Sequence, residues 1–120
     1  DDYWRVLVES DIVFTTTLQG PIRVYMDWIW VRQAVFRYAE TMAAGTALVA
    51  QCVEGSFPYF TKGSDYLEFE GVDQAVTEII ALVSDPDLRS RIAKTGHATM
   101  ARYVEESVFW KDVIKCCQLD

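Results

Sequence analysis

The stretch "TALVAQ", residues 46–51, is the tightest constraint on what this chain can become. It is short, apolar without alternation, and preceded at once by Gly45. A strand with one wet face alternates polar and apolar residues, whereas a continuous apolar run suits a parallel sheet covered on both faces. Parallel neighbours are joined by crossovers, usually helices. The preceding segment fits that demand. From Asp27, a candidate N-cap, the spacing predicts a helix through Ala44 whose buried stripe is Val31, Ala34, Val35, Tyr38 and Met42, with Gly45 as its stop.

The remaining segments follow the same scheme. "DYWRVLVE", residues 2–9, suits a short amphipathic helix with Tyr3, Val6 and Leu7 on one face. "DIVFTT", 11–16, reads as a strand, and Gly20-Pro21 marks the stretch after it as a loop. "YLEFEG", 66–71, is a third strand, reached through a loop holding two glycines and a proline. Everything after Gly71 reads as helix. Asp73 caps a segment with Val76, Ile79, Ile80 and Val83 on one side, and Asp85-Pro86 opens a second that runs toward Arg102. A last helix covers about Glu106 to Cys117. The expected fold is α/β: a single domain over residues 1–120 with a Rossmann-like, partial parallel sheet of about three strands. Helices lie on both faces, and a helical C-terminal tail follows. Three buried parallel strands leave an apolar edge, which upstream strands or another chain are expected to cover.

Bulk properties remove several function classes. A net charge of −7 lacks the basic stripe that displaces phosphate counterions, so no nucleic-acid partner is expected. No stretch approaches the ~20 apolar residues of a transmembrane segment. Cys52, Cys116 and Cys117 show no C-x-x-C spacing, and His97 is the single histidine, so no metal site is expected. The thiols read as reduced, in a cytoplasmic protein. His97 itself reads as a surface or interhelical residue. The chain has neither G-x-x-x-x-G-K-[ST] nor G-x-G-x-x-G, so the common phosphate loops are absent.

What remains is positional. In open parallel sheets, ligands bind beyond the carboxyl ends of the strands. Here that place falls to Thr15, Thr16 and Thr17, the long segment after them, and the helix bearing Arg32, Arg37 and Glu40. Arg32, Phe36 and Glu40 are spaced i, i+4, i+8, and Arg37 is three residues before Glu40. Arginines beside a helix N-terminus favour an anion such as a diphosphate. Spacing alone is equally met by exposed ion pairs of a few tenths of a kcal/mol.

The succession "YWRVLVESDIVFTTT", "YAETMAAGTALVA", "GSDYLEFEG", "LVSDPDLRSRIAKTG" and "SVFWKDVI" resembles the C-terminal, donor-binding half of GT-B-type glycosyltransferases, group 1 and spore-maturation-like. The likeness covers about Tyr3 to Lys115. Those relatives carry a D-V-x-x-x-x-S strand, a helix ending E-A-M-A-C-G-T-P-V-V, a G-x-x-x-L-F strand, a D-P-x-x-R helix and an F-S-W helix. The resemblance implies that Glu40 is the second Glu of the E-x7-E motif, which accepts hydrogen bonds from the donor's ribose hydroxyls. It implies that Thr16 and Thr17 line the same cleft and that Trp110 packs the terminal helix. Arg37 matches spore-maturation-like relatives, which have an Arg three residues before the retained Glu.

Two departures bear on the transferred sugar. Arg32 stands where the first Glu of the motif would be, and no Gly-rich turn follows it. The segment from Asp11 to Glu40 is also about a dozen residues longer than the common pattern. The resemblance thus implies a nucleotide-sugar donor, no cofactor, and an N-terminal acceptor domain of the same protein or a partner chain. The 120 residues alone would be inactive. The alternative is a non-catalytic module of the same fold that docks a protein through Tyr25, Trp28 and Trp30.

Overall fold

The computed structural model describes residues 2–24, 27–33, 36–53 and 60–105, together with Lys111 and Lys115. Its elements are α1 (Asp2–Glu9), β1 (Ile12–Thr15), β2 (Leu18–Val24), β3 (Asp27–Gln33), α2 (Phe36–Ala43), β4 (Ala47–Gln51), β5 (Leu67–Phe69), α3 (Val72–Ser84) and α4 (Pro86–Glu105). The apolar run at 47–51 is the middle strand of a three-stranded parallel sheet in the order β1-β4-β5. Ile12 to Thr15 pair in register with Ala47 to Ala50, and Val49 to Gln51 with Leu67 to Phe69.

The period-2 geometry of β4 divides the core into two layers. Ala47 and Val49 face Ala75 and Leu82 of α3 and Ile92 of α4. Leu48 and Ala50 face Tyr38 and Met42 of α2, with Tyr66 and Met100 beside them. Ala47, Leu48, Val49 and Ala50 are all essentially solvent-free. Burial of a side chain the size of Leu48 or Val49 contributes about 1.5–3 kcal/mol, so this strand anchors both layers. The expected α/β fold, with a three-stranded parallel sheet and helices on both faces, is the one observed.

The helix expected from Asp27 is corrected. Residues 27–33 form β3, which pairs antiparallel with β2 as a separate two-stranded ribbon, Leu18 opposite Gln33 and Val24 opposite Asp27. Ile22, Val24, Trp28, Ile29, Trp30 and Val31 are β-branched or aromatic, and this strand propensity prevails over the helical spacing. Gly20-Pro21, read as a loop, lies inside β2, which an open-edged ribbon allows because Pro need not donate there. Of the expected stripe, Tyr38 and Met42 are buried, Val31 is on β3, and Ala34 and Val35 lie outside the described residues.

The helix ends follow their local chemistry. Gly45 has φ +75° just past α2, and the Gly45 and Thr46 amides bond back to the Met42 and Thr41 carbonyls, a Schellman closure. Asp85 caps α4 through its Oδ1 to the Leu88 amide at 3.0 Å, with Pro86 in the first turn. Asp73 does not cap α3. The N-cap there is Gly71, without a side-chain bond, and Asp73 sits in the first turn.

Two amphipathic readings change as well. On α3 the buried side is Ala75, Ile79 and Leu82, whereas Val72, Val76, Ile80 and Val83 are exposed. On α1 only Leu7 is buried; Tyr3 and Val6 are exposed. The expected last helix and Trp110 lie outside the described residues, apart from Lys111 and Lys115.

α4 runs unbroken through Gly96, which is buried. A β-carbon there would lie 2.4 Å from the Asp65 carbonyl oxygen, so the glycine lets α4 press on the 61–66 turn. That turn is itself held by buried Asp65, which accepts from the Thr61 amide and the Thr99 hydroxyl at 2.8 Å each. The contact is to backbone and cannot swing aside. Gly96→Ala is therefore expected to destabilise the fold by about 1–3 kcal/mol, measured as a lower urea midpoint; an unchanged midpoint would refute the close approach.

Candidate functional site

Because the three strands are parallel, Thr15, Gln51 and Phe69 end at one edge of the sheet. The chain leaves β1 there, makes the β2–β3 ribbon, and enters α2, which returns toward the start of β4. The N-terminal part of α2 thus lies at the carboxyl edge, where the ligand of an open parallel sheet is expected.

Gln51 organises this edge. Its Oε1 accepts from the backbone amide of Thr17 at 3.0 Å and from the Thr17 hydroxyl at 2.9 Å. A backbone N–H can only donate, so the atom facing it must be the amide oxygen, and this sets the side chain's orientation. The Gln51 carbonyl in turn accepts from the Tyr38 hydroxyl at 2.9 Å, tying α2 to the end of β4. Thr17 is buried by these bonds, while Thr16 beside it is exposed.

Glu40 is half-buried on α2, and one of its carboxylate oxygens accepts a hydrogen bond from the Tyr3 hydroxyl of α1. No ion pair joins it to Arg37 among the described residues; the Arg37 side chain is exposed, and its carbonyl accepts from Thr41. Arg32 is not on the helix. It lies on β3 opposite Gln19, so the i, i+4, i+8 row of Arg32, Phe36 and Glu40 does not form. Trp28 and Trp30 share that strand, and Tyr25 is outside the described residues. The structure therefore brings Thr16 and Thr17 to the sheet edge and joins Glu40 to α1. It sets Arg32 on the ribbon.

A second polar group beneath the edge was not anticipated from the sequence. Tyr66 donates to Glu68 Oε2 at 3.0 Å, and Lys62 Nζ lies 3.8 Å from Glu68 Oε1. Burial, then the Glu68 charge, lifts the Tyr38 phenol to about 12 and holds Tyr66 well above the ordinary range. Both phenols are donors at neutral pH. The only hint in the sequence is the alternation of "YLEFEG", which puts Tyr66 and Glu68 on one face of the strand. A cavity of about 330 Å³ runs along β5, lined by Lys62, Glu68, Glu70, Gln74 and Glu78. Burial raises the Glu78 carboxyl. His97 bridges α4 to α2, its Nδ1 3.2 Å from the Met42 carbonyl, which agrees with the interhelical role expected for it. Among the described residues, no cluster of His, Cys, Asp and Glu could hold a metal ion.

The raised phenols carry a pH signature. Unfolded tyrosine ionises near 10, whereas folded Tyr38 keeps its proton to about 12. The stabilisation is whole below pH 10 and is lost as pH rises through about 12. Denaturant titrations at stepped alkaline pH are expected to show this fall, and Tyr38→Phe to reduce it. A midpoint flat across that window would contradict the burial of these hydroxyls.

Among curated proteins, none matches the chain. The sequence profile of the glycosyl transferase-like family matches residues 1–106, from α1 through the end of α4. That span takes in the parallel sheet, the ribbon and helices α1 to α4. The chain belongs to the glycosyl transferase-like family.

Proposed function

We propose that this chain is the donor-binding portion of a glycosyltransferase and that Glu40 accepts the ribose hydroxyls of a nucleotide sugar. The state of Glu40 carries the reading. It is half-buried on the helix that begins at the carboxyl edge, and one oxygen already holds a phenolic hydroxyl. The other oxygen has no partner among the described residues. An ionised carboxylate accepts several hydroxyl donors, and Tyr3 fixes which way this one faces. Arg37, exposed in the first turn of α2, is the near cation for a diphosphate, and Arg32 on the ribbon is a second. Thr16 offers its hydroxyl at the end of β1, and Thr17 holds the turn beside it.

The acceptor site, and with it catalysis, belongs in this reading to an N-terminal domain or a partner chain. Support comes from Phe14, Val72, Val76, Ile80 and Val83, apolar side chains left in water along one side of the sheet and α3. Such a set commonly marks a covered surface. No described helix is long and apolar enough to cross a membrane. A cytoplasmic setting, where reduced thiols persist, is part of the proposal.

Calorimetric titration of the chain with UDP-, GDP- and ADP-sugars tests the reading. One nucleotide class is expected to bind without sugar transfer. Glu40→Gln should weaken it by about tenfold to a hundredfold, the loss of charge-assisted hydrogen bonds. Tyr3→Phe should weaken it by a smaller factor. Binding of none of the three, or equal binding by Glu40→Gln, would overturn the proposal in favour of a protein-interaction module on the same fold.

A further inference from the structure

β5 is the last strand of its sheet, with β4 on one side and no strand on the other among the described residues. An open strand edge is a template for pairing with another chain unless something occupies it. The Cys52 amide donates to the Phe69 carbonyl at 2.7 Å, so the backbone of Phe69 faces β4. Alternation then turns the backbone groups of Tyr66, Glu68 and Glu70 outward.

Groups from the same chain occupy that outer edge. At its start the Gly63 amide donates to the Tyr66 carbonyl at 2.7 Å. At its end the side chain of Gln74, in the first turn of α3, spans two residues. Its Nε2 donates to the Glu68 carbonyl at 3.1 Å, and its Oε1 accepts from the Glu70 amide at 3.0 Å. The Glu70 N–H can only donate, which fixes the orientation of the carboxamide. Nε2 also lies 3.4 Å from Glu78 Oε1.

A residue of a parallel neighbour donates to the carbonyl before its partner residue and accepts from the amide after it, whereas an antiparallel partner bonds both groups of one residue. Gln74 bonds to 68 and 70, on either side of Phe69, so its carboxamide reproduces one residue of a parallel fourth strand. Helix capping does not account for this. A glutamine at the third helical position reaches back to the N-cap amide, but Gln74 passes over the N-cap, Gly71, to the strand. The cavity along this edge is bordered by Glu68, Glu70 and Glu78 against Lys62, so a second copy brought to it would set like charges together.

We propose that Gln74 guards the edge of the sheet: its carboxamide stands in for a fourth parallel strand and keeps β5 from pairing with β5 of a second copy of this chain. The glutamates are a second barrier, one that salt weakens. This role is independent of the donor site, and no nucleotide sugar enters its test.

Gln74→Ala in the full 120-residue chain is the test, since alanine suits an exposed helix position. In dilute solution the Glu70 amide of the variant is expected to exchange its hydrogen about tenfold faster than in the unsubstituted chain, through loss of one hydrogen bond. The Cys52 amide, on the inner side of β5, should keep its protection. By sedimentation at about 0.5 M salt, where charge repulsion is screened, the variant should self-associate about tenfold more tightly than the unsubstituted chain. Unchanged exchange at Glu70, or equal self-association of the two chains, would overturn the proposal. So would loss of protection at Cys52, which would make Gln74 a prop that holds β5 in place and not a guard of its edge.

Discussion

The burial of β4 on both sides is the constraint on which the rest of this structure depends. Four consecutive residues, Ala47 to Ala50, lose almost all contact with water; all four pair with β1 on one edge, and Val49 and Ala50 pair with β5 on the other. The alternation of the strand sends two side chains into each layer, which obliges α2 on one face and α3 with α4 on the other. The alanines at 47 and 50 are as telling as the larger residues. Ala47 shares its layer with the ring of Phe69 and Ala50 with that of Tyr38, and small side chains there leave room for the rings.

That arrangement delivers chemistry to the carboxyl edge from both faces. On the α2 face are Glu40, Arg37 and the buried phenol of Tyr38; on the α3 face are the stacked rings of Phe14 and Phe69. Gln51 is common to both, since its carbonyl accepts from Tyr38 and its side-chain oxygen accepts from Thr17. A single residue at the end of the central strand therefore ties the start of α2 to the turn that follows β1.

The fold was legible where local and tertiary signals agree. The apolar run at 47–51, the glycine at 45 and the Asp85-Pro86 start are each decided by backbone chemistry within a few residues. The reading failed where apolar residues satisfy two periods at once. Trp28, Ile29, Trp30 and Val31 fit a helical stripe as text, and only pairing with β2 decides for a strand. On α3, composition showed an apolar helix but not which side met the sheet, because apolar residues occupy both. The surroundings of the candidate site were only partly legible. Glu40 stood out through its place in a βα succession. Its partner Tyr3 lies 37 residues away, and no local pattern links a phenol on α1 to a carboxylate on α2.

The β2–β3 ribbon also bears on how such a domain diversifies. Leu18 and Gln33 pair directly, so the chain departs from and returns to almost one point between β1 and α2. Neither the β1–β4 register nor the seating of α2 depends on how far the excursion travels. The ribbon is thus a side branch joined at its base. Its length and sequence can therefore change to suit whatever approaches the sheet edge without altering the strand pairing of the core beneath.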